Sequence, residues 1–307
     1  MSNHSEATRC GYVTLIGRPN VGKSTLLNAI LGEKIAITSA KPQTTRNRIP
    51  GILTDGSNQV VFVDTPGIHD ARGALNSFMV DVATEALWDT DIVGLMIEAG
   101  ISAEGDVGAP RAIMDVLEKL KDSTKPIILI LNKVDRLEKQ LLLPIIDAWQ
   151  SRFPFDAIVP MSALKKDGVD AFLELINERL PVGPHLYPAD SLTDLPERFI
   201  AAEIIREQMF RLLDQELPYS IAVVVENWRD RSSQGLVDIE AVIVVERDSQ
   251  KGIVIGKQGQ MIKKIGTQSR KSLEQFLASR VNVKLFVKVD KGWTKSAKRM
   301  ERLGYKA

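Results

Sequence analysis

Short apolar runs recur along the first part of the chain, and each is followed by a polar segment. The runs occupy residues 12–16, 60–63, 126–130 and 157–160. Their length and β-prone composition predict buried strands. Residues 25–31 and 169–180 have apolar positions at helical spacing, so strands alternate with helices. Because crossover helices join parallel strands, we expect an α/β domain with a mostly parallel sheet and helices on both faces.

The later part of the chain has a different order of elements. A helix with one core-facing apolar side is predicted over residues 197–215, followed by strands over 221–225 and 237–245 with a polar loop at 229–235. Helical stretches then cover 260–265 and 267–278, and a last strand covers 281–289. The Pro- and Gly-containing stretch 181–194 interrupts the pattern and is predicted to be an interdomain linker. This order indicates a second, α+β domain.

The polar segment after the first run has the full G-x-x-x-x-G-K-S/T pattern. It reads Gly17, Arg18, Pro19, Asn20, Val21, Gly22, Lys23 and Ser24, and it continues with Thr25 into a helix. Between a strand and a helix, such a loop presents backbone N–H groups and a helix N-terminus to phosphates. Lys23 would reach the β- and γ-phosphate oxygens, and the Ser24 hydroxyl would bind Mg²⁺. The segment therefore predicts a nucleotide phosphate site.

The polar segment after the third run selects the base. It consists of Asn132, Lys133, Val134 and Asp135 at the end of a predicted strand, where open α/β sheets bind ligands. The Asp135 carboxylate can accept hydrogen bonds from N1–H and the 2-amino group of guanine, whereas adenine lacks this donor pair. Asn132 and Lys133 would brace the loop and cover the base. After the fourth run, Ser162, Ala163 and Leu164 would close over the base edge.

Two further segments are expected at the γ-phosphate and the metal. The second run ends in Asp64, Thr65, Pro66, Gly67 and Ile68. Asp64 would hold Mg²⁺ through water, and the Gly67 amide would sense the γ-phosphate. Residues 41–46, Lys-Pro-Gln-Thr-Thr-Arg, form a polar segment of the kind that Mg²⁺ and a γ-phosphate order. Thr45 is the favoured Mg²⁺ ligand and Thr44 the alternative, because sequence does not fix a one-residue register.

Together, these segments resemble the translation-factor-related class of P-loop GTPases over residues 8–180. The resemblance implies GTP hydrolysis with Lys23, Thr45 and Gly67 in the catalytic positions, and Mg²⁺ as cofactor. Ras-like enzymes carry a water-positioning Gln where this chain has Ile68. This difference implies a slow intrinsic GTPase.

Two neighbouring residues are candidates for further roles at this site. His69 is either a general base or, as we favour, a surface-turn residue without a catalytic role. Related GTPases with Pro-Asn-Val in the phosphate-binding loop use the Asn to hold K⁺ near the phosphates. By this resemblance, Asn20 is a candidate K⁺ ligand.

Composition and charge constrain the location and the partners. The single cysteine, Cys10, permits no internal disulfide, and no apolar stretch reaches the roughly 18 residues of a membrane-spanning helix, so a cytoplasmic protein is expected. The net charge of +1 hides an asymmetry, because residues 248–307 contain 15 Lys or Arg and 4 Asp or Glu. This surplus favours a polyanionic partner, although such terminal segments are often only solvated. In the basic tail, residues 291–307, Trp293 would either stack on a base or pack on the preceding domain.

The basic region contains a Gly-x-x-Gly loop next to predicted helices. The candidate RNA contacts are Ile253, Val254, Ile255, Gly256, Lys257, Gln258, Gly259 and Lys263. Because neither glycine of the loop has a Cβ, a phosphodiester backbone can approach the main chain, while the apolar residues form a wall for splayed bases. Residues 195–290 resemble a type II KH domain. A second nucleotide loop and a KH-like fold without RNA activity are the alternatives.

One GTPase domain followed by one type II KH domain resembles the Era family of bacterial GTPases, with segments 41–46 and 254–259 as the clearest likenesses. The resemblance implies binding of GTP and GDP, recognition of small-subunit (16S) ribosomal RNA near its 3′ end, and a role in rRNA processing and small ribosomal subunit biogenesis. It also implies loose contact with the inner membrane face, and we expect a monomer. The alternatives are an RNA-binding assembly scaffold with little GTP turnover and a GTPase partner of an RNA-modifying enzyme.

Overall fold

A computed structural model of the chain describes residues 7–69, 73–99, 111–214, 217–231, 233 and 235–305. These residues form two compact units. The first unit takes its residues from Met1–Ala36, Thr45–Ala71 and Met79–Asp194. The second unit takes its residues from Ile37–Thr44, Arg72–Phe78 and Leu195–Ala307.

The first unit is built on a six-stranded sheet. Its strands are β1 (Arg9–Gly17), β2 (Ile49–Asp55), β3 (Asn58–Asp64), β4 (Ile92–Glu98), β5 (Ile127–Asn132) and β6 (Ala157–Pro160). Its helices are α1 (Lys23–Leu31), α2 (Ala74–Glu85), whose first turns cluster with the second unit, α3 (Arg111–Leu120), α4 (Leu142–Gln150) and α5 (Val169–Arg179). The strand order is β2-β3-β1-β4-β5-β6, and all neighbours are parallel except β2 and β3.

This sheet positions the ligand-binding loops because the parallel strands end at one edge. Strands β1, β4 and β5 are buried along nearly their whole length, as expected for a sheet covered on both faces. The four strands expected from the apolar runs are present. Strands β2 and β4 complete the sheet, and β4 lies between β1 and β5. The loops after β1, β3 and β5 therefore meet where a ligand binds in open α/β sheets.

Residues 181–194 do not form a free linker. The buried amide of Gln59 on β3 donates from Nε2 to the Tyr187 carbonyl (2.8 Å) and accepts at Oε1 from the backbone N–H groups of Leu186 (2.8 Å) and Tyr187 (3.0 Å). The backbone N–H of Ile52 donates to the Leu192 carbonyl at 2.8 Å. These bonds attach the stretch to β2 and β3, and the first unit continues to Asp194.

The second unit contains a three-stranded sheet, β7 (Ala222–Arg231), β8 (Leu236–Val245) and β9 (Arg280–Val289), in the order β7-β8-β9. Strands β7 and β8 are antiparallel, whereas β8 and β9 are parallel. The helices are α6 (Glu197–Leu212), α7 (Asp248–Ile255), α8 (Gln260–Leu277) and α9 (Ala297–Arg302). Helix, strand, strand, helix, helix and strand follow in the order expected of a type II KH domain.

Two sequence expectations for this unit were wrong in detail. Residues 229–231 extend β7 instead of forming a loop, because β8 supplies backbone partners as far as the pair Arg231 and Leu236. The two helical stretches expected over 260–278 are one helix, α8, which runs through Gly266. Position 266 faces β9, and an added Cβ there would lie 3.6 Å from Leu285, so this glycine allows close packing without ending the helix.

The tail is folded onto the second unit. Trp293 is fully buried, its Nε1 donates to the Ser220 carbonyl (3.2 Å), and its ring stacks on Tyr305 with 5.7 Å between the centroids. Together with Met300 of α9, these rings cover β7 and β8 at Ala222 and Val244. The packing alternative for Trp293 is therefore the one that the structure shows. In the described part of the chain, no helix has the length and apolar character needed to cross a bilayer.

Candidate functional site

The phosphate-binding loop connects the end of β1 to the start of α1, and its two glycines have backbone conformations that other residues rarely adopt. Gly17 has φ +153°, and a Cβ there would lie 2.2 Å from the Met96 carbonyl oxygen. Gly22 has φ +113°, and a Cβ there would lie 2.2 Å from Asn132 Nδ2. Both positions therefore require glycine. The loop lies directly against β4 and the loop that follows β5.

Lys23 begins α1 and is almost completely buried, at 6% exposed. Its Nζ donates to the carbonyl oxygens of Gly17 (3.2 Å) and Arg18 (3.1 Å). Burial lowers the pKa of Lys23 to about 8, and the nearby Asp64 carboxylate partly opposes that shift. A buried ammonium whose desolvation cost is only partly offset by nearby groups favours an anionic ligand. This environment suits the β- and γ-phosphate groups expected from the sequence.

A cluster of oxygen ligands lies beside Lys23. The Ser24 hydroxyl donates to Asp64 Oδ2 at 2.6 Å, the Thr45 hydroxyl donates to the same oxygen at 3.2 Å, and the two hydroxyl oxygens are 3.0 Å apart. Asp64 is fully buried, and burial raises its pKa although Lys23 and both hydroxyl groups oppose the rise. Among the described residues, Asp64 Oδ1 has no hydrogen-bond partner. Buried oxygen donors with one unpaired carboxylate oxygen fit a hard cation such as Mg²⁺.

The structure brings Thr45, and not Thr44, to this cluster. The Thr44 hydroxyl instead donates to the carbonyl of Lys41 at 2.9 Å. The geometry therefore favours Thr45, the first choice from the sequence.

The segment after β3 lies against the phosphate-binding loop. A Cβ on Gly67 would lie 2.5 Å from the backbone nitrogen of Pro19, so only glycine allows this approach. Ile68 is 1% exposed, packs in the core, and donates its backbone N–H to the Gly17 carbonyl at 2.9 Å. Its side chain cannot orient a water molecule. The ring nitrogen Nδ1 of His69 lies 2.8 Å from the Gly67 carbonyl oxygen, an arrangement that suits a turn residue.

Asn132 joins the loops around the base. Its Nδ2 donates to the Val21 carbonyl at 2.6 Å, and its Oδ1 accepts from the backbone N–H of Ala163 at 2.9 Å. The Ser162 hydroxyl donates to Asp135 Oδ1 at 2.7 Å, and this bond is the largest cause of the lowered pKa of Asp135. Asp135 is thereby held as an ionised acceptor, as guanine recognition requires.

Lys133 has a partner that the sequence reading missed. Its backbone is left-handed, with φ +67°, and its Nζ pairs with the Glu98 carboxylate at 2.6 Å. Glu98 is the last residue of β4 and lies opposite Asn132 in the register with β5. The sequence did contain a signal for this ion pair, because Glu98 is an acidic residue directly after an apolar run.

Several predicted nucleotide contacts have side chains that face the core. Val21, Thr65 and Ala163 are 2% exposed or less, and the Thr65 hydroxyl donates to the Leu15 carbonyl at 2.7 Å. Any contact that these three residues and Ile68 make with the nucleotide must therefore come from their backbone atoms. Leu164, at 74% exposed, is free of the core and available to a base edge.

The Gly-x-x-Gly loop of the second unit connects α7 to α8. Gly256 has φ +72°, and a Cβ there would lie 2.7 Å from Met261 Cβ, whereas Gly259 has φ +75° with open space around it. Lys257 and Gln258 are exposed between them. Ile253 is 56% exposed, but Val254 is fully buried in the core. The prediction that the Val254 side chain forms part of a wall for bases was therefore wrong, because α7 turns that residue inward.

A groove lies along α8 next to this loop. Its lining consists of Ile262, Lys263, Gly266, Thr267 and Arg270 of α8, and Val281, Asn282, Val283 and Leu285 of β9. Of these residues only Lys263 was a sequence candidate. The others could not be found from local patterns, because the groove exists only where β9 pairs with β8 and packs against α8.

The chain resembles curated proteins along almost its whole length. It is 52% identical over 297 residues to GTPase Era of Geobacter metallireducens, covering 97% of this chain and 98% of that protein. It is 50% identical over 297 residues to GTPase Era of Geotalea uraniireducens, with the same coverage. The chain belongs to the Era family of GTPases.

Domain and structure comparisons agree with membership of the Era family. Residues 12–133 match the family described as 50S ribosome-binding GTPase, and residues 216–294 match the KH domain. A crystal structure of a variant of Aquifex aeolicus Era bound to GDP·AlF4⁻ superposes with a TM-score of 0.91 at 37% identity, covering 98% of this chain and 100% of that one. A structure of Era in complex with MgGDPNP and nucleotides 1506–1542 of 16S ribosomal RNA gives the same TM-score, identity and coverage.

These comparisons confirm three predictions. The chain is an Era-family protein, its fold is a P-loop GTPase domain followed by a KH domain, and it is a GTP hydrolase. The residue assignments within the sites stay predictions, supported by the geometry given above.

Proposed function

We propose that this Era-family GTPase binds Mg²⁺ with GTP or GDP in its first unit and 16S ribosomal RNA near its 3′ end in its second unit, and that it acts in rRNA processing and small ribosomal subunit biogenesis. The observation that carries the RNA part is the groove along α8 and β9, which has the exposed Gly-x-x-Gly loop at one end. A relative of 37% identity has been solved with both ligand classes. We further propose a cytoplasmic monomer, as expected from the sequence, and, by the family resemblance, peripheral contact with the membrane.

In the nucleotide site, Ser24, Thr45 and Asp64 would hold Mg²⁺, with Asp64 acting directly or through water. When bound, Mg²⁺ neutralises charge on the β- and γ-phosphate oxygens. Lys23 supplies a second positive charge, and the buried setting strengthens its attraction to phosphate. The Gly67 amide is the candidate donor to the γ-phosphate. Asn20, in the left-handed region with φ +63°, is the candidate K⁺ ligand.

The buried Ile68 supports slow intrinsic hydrolysis. Since no polar side chain occupies this position, water must be oriented by the backbone or by a partner. The same observation favours the second candidate function, an RNA-binding assembly scaffold with little GTP turnover. For a scaffold, Lys23→Ala should abolish nucleotide cycling and leave the affinity for isolated RNA intact.

The RNA proposal is tested by anisotropy with an oligonucleotide from the 3′ end of 16S rRNA. Gly259→Asp adds a carboxylate where the left-handed backbone tolerates Asp and a new Cβ meets none of the described residues within 4 Å. We expect the affinity to fall about tenfold, since one charge-assisted contact with the RNA backbone is replaced by repulsion. Gly235→Asp is the matched control, because Gly235 has φ +59° and a Cβ there likewise meets none of the residues that the structure describes within 4 Å. Equal affinities for both variants and the parent protein would contradict an RNA site at this loop.

A further inference from the structure

Strand β4 ends in Glu98, next to the loop that carries the candidate base contacts. In the parallel register of the two strands, Glu98 is paired with Asn132, the last residue of β5. The next residue along the chain, Lys133, donates from Nζ to Glu98 Oε2 at 2.6 Å. Both strands lie inside the sheet of the first unit and are buried along their length, so their ends have fixed positions. The ion pair therefore bridges two adjacent strand ends.

The backbone of Lys133 is held independently of this ion pair. On one side, the Asn132 side chain joins two neighbouring loops by the hydrogen bonds given above. On the other side, the backbone N–H of Val134 donates to the Met161 carbonyl at 3.2 Å. Lys133 itself has the left-handed φ of +67°, which is uncommon for a long side chain and persists where the surroundings enforce it. The side chain is thus fixed at its Cα by the loop and at its Nζ by Glu98.

Fixing both ends of a lysine changes what it contributes to binding. A lysine with a free ammonium loses rotamer entropy when a ligand orders it, and this loss weakens binding. The side chains of Lys133 and Glu98 are only 22% and 28% exposed, so their ion pair is screened less than one on the open surface. The four methylene groups of Lys133 are therefore ordered in advance. Such a stem can cover apolar surface, and the face of a purine is a surface of this kind.

We infer that Glu98 is a positioning residue for nucleotide binding: by holding the Lys133 ammonium, it keeps the lysine stem extended over the base site and slows the dissociation of the nucleotide. The inference deepens the proposed nucleotide site and rests on the proposed covering of the base by Lys133. Because Glu98 acts on the base and not on the phosphates, its loss should affect GTP and GDP equally. Because Asp135 contacts the guanine edge and Glu98 does not, the preference for GDP over XDP should stay unchanged.

The test measures the dissociation rates of fluorescent GDP and of a fluorescent non-hydrolysable GTP analogue from the full chain. Glu98→Gln keeps the shape of the side chain and removes its charge. Lys133→Met keeps an apolar stem and removes the ammonium. The double variant Glu98→Gln/Lys133→Met completes a double-mutant cycle, which isolates the contribution of the pair. Glu118→Gln is the matched control, because it breaks the exposed ion pair with Lys121 (3.7 Å) at the end of α3.

Glu98→Gln should raise both dissociation rates by about fivefold and by the same factor for the two nucleotides. In the Lys133→Met background the same substitution should have no further effect, since the ion pair is already absent. Glu118→Gln should match the parent protein. An effect of Glu98→Gln that persists in the Lys133→Met background would overturn the inference.

Two other results would also overturn the positioning role. If the thermal midpoint of Glu98→Gln falls while both dissociation rates stay unchanged, Glu98 only stabilises the sheet. If Glu98→Gln slows dissociation, Glu98 competes with the nucleotide for the lysine instead of positioning it.

Lys133→Ala distinguishes a failure of the Glu98 role from a failure of the proposed base site. This variant removes the stem itself and should raise the dissociation rates more than Lys133→Met does. If it does so while Glu98→Gln has no effect, only the positioning role of Glu98 fails. If Lys133→Ala leaves the dissociation rates unchanged, the proposed covering of the base by Lys133 fails, and the inference fails with it.

Discussion

The Ser24 hydroxyl donates a 2.6 Å hydrogen bond to the buried carboxylate of Asp64, which joins the start of α1 to the end of β3. Ser24 and Asp64 are 40 positions apart in the sequence, yet they lie next to each other and close to Lys23 and Thr45. The other Asp64 carboxylate oxygen has no hydrogen-bond partner in the part of the chain that the structure describes, which points to a bound ligand.

Asp64→Asn should remove most of the Mg²⁺ dependence of nucleotide binding. The amide keeps the shape of the side chain but loses the negative charge that a hard cation prefers. We expect the gain in GTP-analogue affinity on adding Mg²⁺ to shrink by about tenfold or more, equivalent to at least about 1.4 kcal/mol. Titrations with and without chelator measure this gain. Asp55→Asn, at the exposed end of β2, should behave like the parent protein.

Lys23 should make nucleotide affinity depend on pH in the alkaline range. Burial lowers its pKa in the free protein to about 8, and bound phosphates favour the protonated form. Below about pH 8 the free protein already carries the charge, so affinity is constant. Above about pH 8, Lys23 is neutral in a growing fraction of the free protein, and it must take up a proton for the nucleotide to bind. The affinity should therefore fall by up to about tenfold per pH unit. Lys23→Met should bind more weakly and show no such fall. A flat profile for the parent protein up to about pH 9 would contradict the lowered pKa.

Asp135→Asn should weaken guanine recognition. It replaces an ionised acceptor by a neutral amide and leaves one donor of the base without its partner. We expect a loss of about 1.5–3 kcal/mol in GDP affinity and a relative gain for XDP, whose 2-oxo group accepts a hydrogen bond from the new amide. Competition of GDP and XDP for a fluorescent nucleotide measures both. Asp170→Asn, exposed on α5, should leave the preference for GDP over XDP unchanged.

Trp293→Ala should destabilise the second unit and leave the RNA affinity of the folded protein unchanged. The side chain is fully buried and donates to the Ser220 carbonyl, so its removal leaves a cavity and should lower the free energy of unfolding by about 3–5 kcal/mol. Urea unfolding followed by circular dichroism measures this loss. Trp88→Ala removes an indole that is 60% exposed and should cost little. An RNA affinity that drops while stability is unchanged would restore the base-stacking alternative.

The sequence by itself determined the class of both domains and most residues of the nucleotide site. The reason is that these features are local. A strand, a glycine-containing loop and a helix N-terminus are consecutive in residues 12–31, and their pattern carries both the fold and the chemistry. The same holds for the segments that end β3 and β5, and for the Gly-x-x-Gly loop between α7 and α8.

The tertiary structure decided what depends on residues far apart in the sequence. The choice between Thr44 and Thr45 follows from contacts with Ser24 and Asp64, and the partner of the Thr44 carbonyl lies 162 positions away at Arg206. Val254 is buried because the side of α7 that carries it faces the core. The groove along α8 exists because β9 pairs with β8. Periodicity predicts that a helix has an apolar face, but only packing selects the residues that this face contacts.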